Sequence, residues 1–138
     1  MPDIDPRSLL RDAVRASRRA VAPYSKFHVG AALLTRDGAI ILGANVESVS
    51  YGLTCCAERV ALFKALTDGH TDFTAVAIVA PHAKTAPCGA CRQLLAEYAP
   101  DARVFVADSR RPAKFREFTV DQLLPEAFRS LHNKRKRT

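Results

Sequence analysis

Two short cysteine clusters constrain this chain more than any other feature. Pro87-Cys88-Gly89-Ala90-Cys91-Arg92 holds a C-x-x-C behind a proline, and Thr54-Cys55-Cys56-Ala57-Glu58-Arg59 sets a cysteine two residues before a glutamate. An apolar helical run follows each cluster, and each lies downstream of a strand-like segment. In open α/β sheets the ligand crevice forms where strand ends meet helix N-termini. Cys56, Cys88 and Cys91 are therefore expected to converge from the starts of two neighbouring helices. Cys88 and Cys91 stand three apart, one helical turn, so both thiolates can reach one ion. The partial positive charge of a helix start favours thiolates there.

Structural zinc sites are closed by four protein ligands, whereas catalytic ones keep a position open. Cys55 is adjacent to Cys56 and cannot readily chelate the same ion, so it reads as a small buried apolar residue. His28, His70, His82 and His132 show no ligand spacing and read as surface or packing residues. A C-x-x-C alone reads as a redox pair or a structural half-site; Cys56-Ala57-Glu58 on the preceding helix start tips it toward a catalytic Zn2+ centre. Three thiolates around a divalent ion leave a net negative charge, which nearby cations would offset. Arg59 is expected to donate to the sulfurs. Arg92 reads equally as a second such donor or as an ordinary surface ion pair.

Charge narrows the function class. The chain carries +7, but residues 20–128 are neutral; the excess sits at +2 in residues 1–19 and +5 in residues 129–138. A protein acting on single-stranded nucleic acid needs a basic groove, so nucleic acid is not an expected partner. No apolar run approaches a membrane span, and residues 1–19 lack the apolar stretch of a secretory leader. Four cysteines without such a leader point to a cytoplasmic protein that uses thiols for metal or catalysis. Residues 1–130 read as one catalytic domain, and 131–138 as a basic disordered tail.

The expected element order is α-β-β-α-β-α-β-β-α. Helix is expected over 6–22, capped by Asp5 with Pro6 in the first turn and a stripe of Leu10, Ala13, Val14, Ser17 and Val21. A hairpin over 29–35 and 39–45 turns at Arg36-Asp37-Gly38. Helix follows over 56–67 behind Thr54 as cap, burying Val60, Ala61, Phe63 and Leu66. Strand over 73–80, helix over 88–98, strands over 103–107 and 114–119, and a short helix over 121–128 interrupted by Pro125 complete the chain. The strands are too apolar for a half-wet sheet, so both faces should be covered. Strand–helix–strand steps imply parallel pairing, and the hairpin makes the sheet mixed.

At this point the sequence resembles the cytidine deaminase family, in particular its small homotetrameric type. The resemblance rests on Pro23-Tyr24-Ser25-Lys26-Phe27-His28-Val29-Gly30, Gly43-Ala44-Asn45-Val46-Glu47, the two cysteine clusters with Gln93, and Leu123-Leu124-Pro125-Glu126-Ala127-Phe128, all in family order. It implies a three-layer α/β sandwich around a five-stranded mixed sheet. It implies hydrolysis of cytidine and deoxycytidine to uridine and deoxyuridine plus ammonia, in pyrimidine salvage. Glu58 is then the catalytic proton carrier beside a Zn2+ held by Cys56, Cys88 and Cys91. Asn45 and Glu47 look like the ribose-binding pair, Phe27 the wall beside the base, and Ala57 a further substrate contact. Tyr51 and Phe128 look like residues lent to a neighbouring subunit's pocket in a homotetramer. Blasticidin-type deaminases share the zinc motif; the glutamate of Asn45-Val46-Glu47 favours a plain nucleoside over a modified one.

Overall fold

The computed structural model describes residues 4–82 and 85–128. The segments 1–3 and 129–138 lie outside the described residues, and with them His132 and the basic tail. Five strands form one sheet in the order β2-β1-β3-β4-β5, with β1 at Gly30–Thr35, β2 at Ile40–Ala44, β3 at Phe73–Ala80, β4 at Arg103–Asp108 and β5 at Phe115–Thr119. Only β3 and β4 pair in parallel; the other three pairings are antiparallel. The sheet is mixed as expected. β1 sits between β2 and β3, so the crossover through the first cysteine-led helix skips a strand.

Helices cover both faces. Alternate β1 residues point to opposite sides. Ala32, with Ala75, Ala77, Val79 and Phe105, packs under α1 (Pro6–Ser17). Ala31 and Leu33, with Val76, Ile78, Val104 and Val106, pack under α2 (Ala57–Thr67) and α3 (Gly89–Tyr98). Three layers result. Among the described residues no helix is long and apolar enough to cross a membrane.

Several boundaries differ from the sequence pattern, each for a physical reason. α1 begins as expected, with the Asp5 carboxylate accepting from the Ser8 N–H and Pro6 in the first turn. It stops at Ser17, not 22, because Val21 is captured by a bridge beside β2. The Val21 N–H donates to Asn45 O at 2.9 Å, and the Glu47 N–H donates to Val21 O at 2.8 Å. Val21 is consequently half exposed, and the chain leaving α1 is pinned next to the strand end that carries Asn45 and Glu47. The last helix, α4, spans only Val120–Leu123, with a Thr119–Gln122 capping box. Pro125 disfavours helical geometry at Leu124, and Glu126 then turns with φ 52°.

α2 sits closer to the sheet than its sequence suggests. Its buried face is Ala57, Glu58, Ala61, Leu62 and Ala65, while Phe63, expected inside, is 42% exposed. The close approach depends on Gly43 in β2, where a Cβ would stand 2.5 Å from both Ala57 O and Ala61 N. Gly43→Ala is therefore expected to push α2 off the sheet and destabilise the fold by about 1–3 kcal/mol, measured as a drop in thermal midpoint. An unchanged midpoint would contradict this packing. In the hairpin, Gly38 takes φ 96°, the positive value its turn requires.

Candidate active site

Cys56 and Cys88 occupy the N-cap positions of α2 and α3, each with extended backbone. Thr54, expected as a cap, instead accepts a hydrogen bond from the Ser48 N–H through Oγ1. A capping residue ordinarily turns its side chain back onto the first-turn amides. Neither cysteine makes such a bond, so both sulfurs are free for other partners. They meet: Cys56 Sγ lies 3.8 Å from Cys88 Sγ, and Cys88 Sγ lies 3.4 Å from Cys91 Sγ. All three lie within 4.8 Å of one another and form a candidate metal cluster among the described residues.

The set fits zinc. Tetrahedral Zn–S bonds of about 2.3 Å place sulfurs about 3.8 Å apart, close to the separations found here. Crowded thiols compete for protons. A hydrogen bond from Cys91 and then one from Arg59 hold Cys56 well below the usual thiol range, at about 5, while Cys91 is pushed up. Cys56 is thus a readier thiolate than Cys91, and a bound metal would favour the deprotonated thiols.

Glu58 sits in the first turn of α2 and is only 6% exposed. Burial pushes its carboxyl above the usual range, and the negative charge of Cys56 adds to the rise. A carboxyl raised in this way can hold and release a proton nearer neutral pH. Arg59 points its guanidinium at the cluster, donating to Cys56 Sγ at 3.5 Å and Thr54 O at 3.4 Å. Removing a partner of a metal ligand usually costs 10–100-fold in metal affinity. Arg59→Gln should accordingly release zinc to a chelator about 10–100-fold more readily; wild-type retention would mean that the contact is idle.

Arg92 does neither of the two things its sequence position suggests. Its Nε donates to Pro87 O at 2.7 Å and its Nη1 to Leu123 O at 2.8 Å. Cys55 is half-buried rather than buried, is paired through its main chain with Val46, and stays outside the cluster. His28, His70 and His82 also stay outside it.

Asn45 and Glu47 project to the same side, onto the 24–29 loop. Buried Asn45 accepts from the Val29 N–H at 2.9 Å and donates to Phe27 O at 2.8 Å. The Glu47 carboxylate accepts from the Tyr24 N–H at 3.0 Å, the Ser25 N–H at 3.1 Å and the Ser25 hydroxyl. Ser25 chiefly holds Glu47 below the usual carboxylate range, so it is ionised at neutral pH. Each keeps unused hydrogen-bonding capacity: one amide hydrogen on Asn45 and one lone-pair site on Glu47.

A hollow of about 350 Å³ opens beside Glu47, which lines it with Tyr24, Ser25, Ser48, Tyr51 and Thr54. Nothing local in the sequence marks Tyr24, Ser25 or Ser48 for this site. Pro23-Tyr24-Ser25 was visible as a segment, but its bonds to a glutamate 22 and 23 residues away had no local signal. Tyr51 begins a 3-10 turn, Tyr51–Leu53, and is 79% exposed. Phe27 is 38% and Phe128 64% exposed, and neither lines the hollow. Ala57 is fully buried at the start of α2.

Comparison with known proteins agrees with this geometry. Residues 4–107 match the family model described as the cytidine and deoxycytidylate deaminase zinc-binding region. The cytidine deaminase of Halalkalibacterium halodurans is 49% identical over 127 residues, covering 91% of this chain and 95% of that protein. A crystal structure of cytidine deaminase from Burkholderia pseudomallei superposes with a TM-score of 0.86 at 44% identity, covering 91% of this chain and 100% of that one. The blasticidin-S deaminase of Bacillus cereus is 36% identical over 110 residues, 73% of this chain and 76% of that protein. With its three-thiolate cluster at two helix starts and a buried glutamate beside it, the chain belongs to the zinc-binding cytidine and deoxycytidylate deaminase family.

Proposed function

We propose that the protein hydrolyses cytidine and deoxycytidine to uridine and deoxyuridine with release of ammonia, and serves pyrimidine salvage in the cytoplasm. The observation that carries this reading is the juxtaposition of buried Glu58 with three sulfurs at two helix N-termini. When bound by Cys56, Cys88 and Cys91, zinc supplies the Lewis acid that makes a water usable as a nucleophile near neutral pH.

Glu58 does the proton work. It accepts the first proton of the attacking water and delivers it to N3 of the cytosine ring. It then moves the second proton from the new C4 hydroxyl to the amine, the C4–N bond breaks, and ammonia leaves. Arg59 offsets thiolate charge at Cys56. Ala57 contributes its main-chain N–H at the start of α2. Asn45 and Glu47 bind the ribose hydroxyls with the capacity left over from the 24–29 loop, which keeps Phe27 beside the base. Residues 1–130 act as a single catalytic domain.

Tyr51 and Phe128 serve a pocket shared with neighbouring subunits of a homotetramer. Their exposure supports this, as does that of Val49 at 78% and Leu53 at 74%. Apolar side chains so exposed and so close in sequence suit burial between copies.

The test is ammonia release from cytidine, deoxycytidine, blasticidin S and a cytosine-containing single strand, with zinc measured on the same sample. Turnover of the two nucleosides well above the others supports the reading. Preference for blasticidin S or for the strand would replace it, and stoichiometric zinc without any ammonia would indicate a structural zinc module.

A further inference from the structure

Two consecutive residues of α3, directly after Cys91, tie together the main chain beside Cys88 and the 123–128 segment. The Arg92 guanidinium bridges Pro87 O and Leu123 O, at 2.7 and 2.8 Å. The Gln93 side-chain amide donates to Phe128 O. We propose that Arg92 and Gln93 are positioning residues that clamp the zinc-ligand segment 87–88 and the C-terminal segment 123–128 to one helix turn, so that the metal centre and Phe128 are set together. The proposal rests on the reading of Phe128 as a wall of a substrate pocket.

The geometry gives each bond a specific consequence. Pro87 O belongs to the peptide that joins Pro87 to Cys88, and a peptide unit is rigid. Fixing that carbonyl holds one of the two peptide planes that flank Cys88 and so narrows the positions its sulfur can take. Leu123 O ends a single-turn helix and has no partner within it; Arg92 supplies one, and Leu123 itself is buried against the main core. Gln93 then holds the far end of the same segment by its main chain, leaving the Phe128 ring exposed for contact.

The clamp depends on shape more than on charge. A planar guanidinium presents two donors to two carbonyls at fixed separation, whereas a lysine carries the same charge on one nitrogen at the end of a flexible stem. Arg92→Lys therefore separates this role from simple compensation of thiolate charge.

The experiment measures zinc per chain, the rate of zinc transfer to a chelator, and kcat and KM for cytidine. It compares the wild type with Arg92→Lys, Gln93→Ala, Phe128→Ala and the Gln93→Ala/Phe128→Ala double variant. Arg92→Lys is expected to keep one zinc per chain, to release it about tenfold faster, and to raise KM severalfold more than it lowers kcat. Gln93→Ala is expected to raise KM with zinc release unchanged, and to add nothing once Phe128 is alanine. If Phe128→Ala raises KM but Arg92→Lys and Gln93→Ala match the wild type in KM and zinc release, the clamp is overturned even if both lower thermal stability. If Phe128→Ala itself leaves KM unchanged, the underlying reading of Phe128 fails, and the proposed coupling with it. Arg92→Lys folds on the conservative side, and Gln93→Ala removes only a half-buried amide, so at least one variant reports.

Discussion

Glu58→Gln is expected to keep zinc and fold while losing about 10⁴-fold in kcat, the upper end of what a positioned acid–base group contributes. Glutamine fills the same volume and can accept or donate a hydrogen bond, but it cannot carry a proton between water, N3 and the departing amine. Because Glu58 is almost fully buried with a raised carboxyl, replacing it with a neutral isostere removes a desolvated acid. The thermal midpoint should not fall. That combination separates a proton carrier from a structural residue, for which stability and activity would fall together. A near-normal kcat would remove Glu58 from the mechanism.

Cys88→Ala is expected to lose stoichiometric zinc and, with it, all turnover. The Cys88 side chain is exposed, so little packing is lost, and any drop in thermal midpoint reports the metal. A ligand that binds only the folded state stabilises it by an amount that grows with the logarithm of its affinity. Wild-type protein stripped by a chelator should therefore melt close to the variant. Adding zinc should restore the wild type and leave the variant unchanged. Unaltered zinc content in Cys88→Ala would exclude Cys88 from the ligand set.

The fold was legible where patterns are local. The continuous apolar run at β3 and the Arg36-Asp37-Gly38 turn carry their structure in adjacent residues, and the observed elements follow. The pattern failed where a distant partner decides. Val21 looks helical until Asn45 and Glu47 take its amide and carbonyl. Phe63 looks like a core residue until the alanine face of α2 seats on Gly43. The three-thiol cluster was legible because its spacing restricts what can meet: among the described residues, Cys56, Cys88 and Cys91 converge from two helix starts. The hollow was not, because Glu47 takes two of its three partners from the Tyr24 and Ser25 backbone amides, which any residue type could supply, and all of them lie 22 or 23 residues away. Arg92 shows the same limit, since the carbonyls it holds lie five and 31 residues away.

The central claim is that a three-thiolate zinc centre and Glu58 together deaminate a free nucleoside. The most direct test is one preparation each of wild-type and Glu58→Gln protein, analysed for zinc per chain and for ammonia released from cytidine. The account predicts about one zinc per chain in both, and rapid ammonia release from the wild type alone. Full zinc with no ammonia from the wild type, or equal ammonia from both proteins, would contradict it.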